Sequence, residues 1–178
     1  MLYFDYTMKG YEQYRSGVHT NCWTGLLHTL FMPVATMGFF MLIYSCEMFF
    51  KPKEIYSATD TRFFKNTLLL IYWIGYLFTF PIVGTFTIAY YHHLTTWVLN
   101  MSTLYMYKSS NKRKTKNQIF ITSIVLLIFS VGMMEFIGHW TLENHASRLH
   151  EFFNSIYHTP VYGTMSIIYP LTNECWIY

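Results

Sequence analysis

Charged side chains drop out of this sequence in long blocks. From Gly25 to Cys46 there is no Asp, Glu, Lys or Arg. At 1.5 Å rise per residue a helix over that segment spans about 33 Å, which matches a hydrocarbon core of roughly 30 Å. The next charge-free block, Asn66 to Tyr107, is long enough for two crossings, and Pro81 and Gly84 in "FPIVG" mark the place for a turn between them. A third block, Gln118 to Gly138, carries one carboxylate, Glu135. The last apolar stretch, Phe152 to Leu171, contains His158, Pro160 and Pro170 and reads equally as a full span, a re-entrant helix or an interfacial helix. The pattern predicts an all-α protein, a polytopic membrane helical bundle of four to five transmembrane helices in one domain over 1–178. The expected spans are about 25–46, 66–82, 84–107 and 118–139, with 152–171 as a fifth span or re-entrant helix.

Composition agrees with a membrane class. The chain is 53% hydrophobic and only 12% charged, about half the charged share of a soluble domain. Nine of the twelve Lys and Arg residues lie in two segments, 51–65 and 108–117, and the net charge is +3, so no nucleic-acid face is expected. With four spans both basic loops fall on one side, which the positive-inside rule assigns to the cytoplasm. Residues 1–24 lack an apolar h-region and an A-x-A-like site, which predicts no cleaved signal and makes the first span an uncleaved anchor. Cys22, Cys46 and Cys175 form no metal or disulfide pattern and are expected to be buried, reduced thiols. The sequon Asn100-Met101-Ser102 falls inside a span, where no glycosylation is expected. Sixteen Tyr, sixteen Phe and five Trp suffice for aromatic belts at both interfaces.

The histidines depart from this background. His19, His28, His139, His145, His150 and His158 all fall at or near the side opposite the basic loops, and His92 and His93 lie in the half of span three nearer to it. "VHTNCWTGLLH" sets His19 and His28 at the entrance of span one, with Asn21 between them. "EFIGHWTLENHASRLH" adds a second group: in a continuing helix His139 and Glu143 are i and i+4 and share a face, to which His150 returns. In "AYYHHL" the adjacent histidines point about 100° apart, so one of the two is expected to face the core. A single imidazole on an apolar helix is more often a hydrogen-bonded packing residue than a ligand, and a polar helix end can simply snorkel into headgroups. Ionisable groups near membrane depth are nevertheless costly and mark functional sites by default. Imidazole and carboxylate donors without organised thiolates suit non-haem Fe(II) or zinc. The HxxHH and HxxxH boxes of membrane desaturases are not present as a set. Glu135 beside "SVGMM" is expected to be neutral or partnered, by a helix–helix hydrogen bond or in catalysis.

These residues resemble the 2-hydroxy fatty acid dioxygenases of the fungal endoplasmic reticulum, which act in α-oxidation during phytosphingosine degradation, and their relatives. The likeness lies in "YEQYRSGVHTNCWTGLLHTLFMP" and in "EFIGHWTLE", where His19, Asn21, His28, Pro33, Gly138, His139 and Glu143 fall at matching spacings. Thr24 stands where the family usually has a second Asn, Glu135 where it has Gln, and Leu142 where it has Phe; "RSGV" separates Tyr14 from His19. The resemblance implies a membrane enzyme of lipid metabolism, in the endoplasmic reticulum or another internal membrane, that uses Fe(II) and O2 to cleave C1 from a 2-hydroxy fatty acid. It implies His19, His28 and His139 as iron ligands, Glu143 as the carboxylate that completes a facial triad or as the group that orients a histidine, Asn21 as a contact to the carboxylate or a ligand, and Arg148 as the nearest cation for the substrate head. The alternatives are a non-catalytic structural or partner-binding membrane protein with a vestigial histidine site, and an electron carrier with haem held between spans, for instance by His28 and His92.

Overall fold

The computed structural model describes residues 21–51, 57–144 and 157–164. Among them there are helices and no strand, so the protein is all-α as its pattern predicts. The elements are α1 (Cys22–Phe50), α2 (Thr59–Thr79), α3 (Pro81–Lys108) and α4 (Lys112–Gly132), the last running on without a break into a π-helical segment, Met133–Leu142. A short helix over 157–164 follows. Two helices, Trp23–Phe50 and Lys112–Leu142, are long and apolar enough to cross a membrane, with mean hydropathies of 1.8 and 2.2. α2 and α3 have 21 and 28 residues, enough length for a span, but tyrosines, histidines and hydroxyls make them more polar than the other two.

Each helix outruns the charge-free block that announced it, because charged residues serve the ends. α1 extends to Phe50 and takes in Glu47, whose carboxylate accepts from the backbone N–H groups of Asp60 and Thr61 at 3.1 Å each. A carboxylate from one helix thus occupies the positive pole of the next. Lys51 pairs with Asp60 across the same junction. At the start of α4, Asn111 Oδ1 accepts from Lys114 N at 3.0 Å, while Lys116 Nζ donates to the Met48 carbonyl at 3.1 Å and lies 3.5 Å over the Phe49 ring. The basic end of α4 and the end of α1 therefore meet, which puts both basic connections at one end of the bundle.

The turn between α2 and α3 differs from its expected form. "FPIVG" does not loop; α2 closes at Thr79, Phe80 alone intervenes, and Pro81 opens α3. Proline suits that position because its fixed φ is helical and its absent N–H would have had no partner there. Gly84 is not a turn residue but a contact: a Cβ there would stand 2.4 Å from Tyr76 Cβ, so the two helices touch through glycine.

α1 packs along α4 and the π-helical segment, and α2 pairs with α3. One core cluster, near the basic end, joins Phe40, Tyr44 and Met48 of α1 to Val98, Leu99 and Met106 of α3 and Ile119 of α4. A second, at the other end, joins Tyr76 and Phe80 to Val161 and Tyr162, with the Tyr76 hydroxyl donating to the Tyr157 carbonyl at 2.7 Å.

Candidate functional site

The site lies at the end of the bundle opposite the basic connections, where α1 begins and the π-helical segment ends. Asn21, Thr24 and His28 are spaced by three and four residues and therefore stand in one row on α1. Asn21 is the N-cap, its side-chain oxygen accepting from Trp23 N at 2.9 Å. Thr24 is fully buried and donates to the carbonyl of Gly138 at 3.0 Å. His28 is buried, its ring centroid 5.1 Å from that of His139 in an edge-to-face arrangement.

The other wall is the wide-turned segment. A π turn takes one residue more than an α turn, and this lets two successive residues, Gly138 and His139, both face α1 as buried positions. The Glu143 N–H closes on the His139 carbonyl at 3.2 Å, and the Gly138 carbonyl is taken by Thr24. A Cβ on residue 138 would lie 3.1 Å from Thr24 Cγ2, so glycine permits this approach. Asn144 then leaves the helix with φ of 58°, the left-handed conformation that ends helices.

These backbones bring His139 and Glu143 together. The His139 Nδ1–H donates to Glu143 Oε2 at 2.8 Å, both side chains almost wholly buried at 4% and 0% exposure. Glu143 Oε1 accepts from the backbone N–H of Asn21 at 3.2 Å. One carboxylate therefore fastens the end of the π-helical segment to the beginning of α1, 122 residues away. With Nδ1 carrying the proton toward the carboxylate, the lone pair of a neutral His139 ring is on Nε2.

Of the residues singled out by the sequence, His28, His139, Glu143 and Asn21 are brought together. His19, Arg148, His145, His150 and Cys175 lie outside the described residues. His92 and His93 are both exposed on α3, against the expectation that one would face the core; Tyr91 and Thr95 occupy the inward positions. His92 is thus turned outward while His28 faces His139, which separates the pair considered for haem. His158 is buried in the aromatic cluster, stacked on Tyr162 with ring centroids 5.6 Å apart. Cys46 is a free thiol, half-buried rather than buried. Among the described residues no three His, Cys, Asp or Glu side chains are grouped to hold a metal ion.

Thr24 belongs to the site, although the sequence marked it only as a departure from the family pattern; its place in the row Asn21, Thr24, His28 is what brings it there. A cleft beside His28, between α1, α3 and the helix over 157–164, was also beyond the sequence pattern. No family model matches the chain, and neither the curated proteins nor the solved structures contain a significant match to it.

Proposed function

We propose that this protein is an Fe(II)-dependent membrane dioxygenase that removes C1 from 2-hydroxy fatty acids, and that it crosses the membrane four or five times in the endoplasmic reticulum or another internal membrane. The observation that carries the reading is the His139–Glu143 hydrogen bond held against His28. A histidine whose Nδ1–H is fixed by a buried carboxylate presents Nε2 in a set direction, the arrangement in which histidines hold metals in proteins. The donor chemistry fits iron: two imidazoles with a carboxylate behind one of them and no thiolate. His28 and His139 would hold the ion together with His19, which stands two residues before Asn21 in sequence. Glu143, with one oxygen on His139 and the other on the Asn21 N–H, serves as the orienting group of the two roles open to it.

Bound iron would supply the activation of O2. The chain's own residues position and shield: Glu143 fixes the His139 ring, Thr24 and Gly138 close the seam behind it, and the Asn21 cap anchors the start of α1. A 2-hydroxy acid presents two oxygens on adjacent carbons and brings all four electrons that the reduction of O2 takes. The products balance as a fatty acid one carbon shorter, CO2 and water, with no other reductant consumed. Arg148 remains the proposed cation for the carboxylate head.

Membrane residence is supported by how the two most apolar helices are used. Only 17% and 22% of their most apolar windows are buried inside the protein, whereas the core helix of a soluble protein is mostly buried. Exposed Ile128, Phe129 and Phe136 on that face of α4 and the π-helical segment would contact lipid. The test is mass spectrometry of products after anaerobic purification, loading with Fe(II) and addition of 2-hydroxypalmitate and O2. Pentadecanoate is expected from the wild type and not from His139→Ala; stoichiometric iron without product would leave a non-catalytic membrane protein as the better reading.

A further inference from the structure

His93 stands at the middle of α3, twelve residues after Pro81 and fifteen before Lys108, and its side chain is exposed. At 1.5 Å per residue the imidazole is about 18 Å from one end of the helix and about 22 Å from the other, a depth that in a bilayer lies within hydrocarbon. Ionisable groups at that depth face a bundle interior or a partner rather than lipid.

The other polar side chains on the outer surface of α3 are accounted for within the chain. Thr85 accepts from Trp73 Nε1 at 3.2 Å and donates to the Pro81 carbonyl. Thr96 accepts from Lys65, Asn100 accepts from Arg62, and His92 lies within electrostatic reach of Lys65. His93 meets the His92 ring edge-to-face, centroids 5.9 Å apart, and makes no hydrogen bond among the described residues. Phe86, Tyr90, His93, Trp97, Asn100 and Leu104 are all exposed and follow one another in alternating steps of four and three, so they form one stripe along the helix. No member of the stripe carries a fixed charge.

We propose that this stripe is the contact between two copies of the chain, with His93 of one copy hydrogen-bonded to His93 of the other. Two copies inserted with one topology are related by a rotation about the membrane normal, so each residue of the stripe meets its own counterpart at the same depth. That condition selects the occupant. A fixed charge would repel its counterpart there, whereas a neutral imidazole carries one donor and one acceptor and can satisfy a second imidazole. Tyr90 and Trp97, one turn to either side, bring flat rings that pack against rings of the same kind. An unrelated protein would need a polar group of its own at mid-depth; a second copy brings it by symmetry. The inference rests on the membrane crossing of α3 in the reading above and not on the dioxygenase reaction.

The test is dimer formation in liposomes, read as energy transfer between donor-labelled and acceptor-labelled copies of the full chain while added lipid dilutes them. The wild type is expected to dimerise, and His93→Leu to dissociate about 3- to 30-fold more readily, the range measured for one interhelical hydrogen bond in membranes. His93→Asn keeps a donor and an acceptor and is expected to retain the dimer. His93→Lys sets two cations against each other and is expected to abolish it. The position is exposed, so none of these variants has to repack the interior. A second readout maps the face: with Cys22, Cys46 and Cys175 replaced by Ser, single substitutions Tyr90→Cys, Trp97→Cys and Leu104→Cys should give disulfide-linked dimers on mild oxidation, and Ile71→Cys of α2 and Ile128→Cys of α4 should not. A monomer at every dilution, a dimer that His93→Leu and His93→Lys leave unchanged, or cross-links through Ile71→Cys or Ile128→Cys in place of the stripe would each overturn the proposal, and cross-links from the stripe to a different protein would overturn the choice of partner. Protein that alkaline carbonate strips from membranes removes the membrane crossing and the interface together, whereas protein that stays in the membrane as a monomer removes the interface alone. Neither readout needs turnover, so failure to find a shortened fatty acid leaves both standing.

Discussion

His139 and Glu143, four residues apart and both with buried side chains, are joined by a 2.8 Å hydrogen bond where the widened helical turn ends against α1. Glu143 also accepts from the Asn21 N–H. Both oxygens of the carboxylate are thus engaged by protein, and its role is that of a brace for an imidazole.

Glu143→Gln keeps the shape of that brace and removes its charge. Iron affinity is expected to fall roughly 10- to 100-fold, the usual effect of losing an orienting carboxylate behind a ligand histidine. His139→Ala is expected to abolish binding. Iron content after dialysis against graded chelator checks both; unchanged affinity in Glu143→Gln would assign Glu143 no part in holding the metal.

Thr24→Val keeps volume and deletes the hydroxyl that satisfies the Gly138 carbonyl. A buried acceptor left without its donor costs about 1–3 kcal/mol. Thermal unfolding in detergent should show a lower midpoint for Thr24→Val and a near-normal one for Thr24→Ser.

Gly84→Ala places a methyl on Tyr76 Cβ, an atom close to the backbone that no rotamer change can move. Overpacking of this kind costs about 1–3 kcal/mol. The loss should appear in thermal unfolding, and Gly132→Ala, where a Cβ meets nothing within 4 Å, should show none of it.

The two basic connections lie at one end of the bundle, so cysteines introduced at Ser57 and Ser110 should react with an impermeant maleimide from the same side of sealed vesicles. Reaction from opposite sides would reject the four-helix arrangement in the membrane.

The all-helical class was legible from charge-free length, a local property, whereas the meeting of His28 with His139, which lie on different helices, was legible only through the span topology that sets both at one end of the bundle and through the family resemblance. The turn at "FPIVG" was legible only as to place. Pro81 serves a helix start as readily as a loop, and the packing of Gly84 under Tyr76 depends on a residue from another helix. The orientation of His92 and His93 was misjudged because their adjacency says how far apart they point and not which way the pair faces. Nothing in "MMEFIGHWTL" announces a π turn; it is settled by the contacts of Gly138 and His139 with α1. Glu47 looked like the end of a span, and its use as the cap of α2 is a tertiary fact.

The single residue between α2 and α3 bears on how the hairpin keeps its register. Lys65 of α2 donates to Thr96 of α3, and Arg62 to Asn100 at 2.8 Å, so polar groups far from the turn are matched to each other across the two helices. A link of one residue leaves no slack by which these pairs could slide. A spacer placed after Phe80 would therefore cost the hairpin its alignment, and with it the pairing of Lys65 and Arg62, even where it leaves the His139–Glu143 hydrogen bond intact.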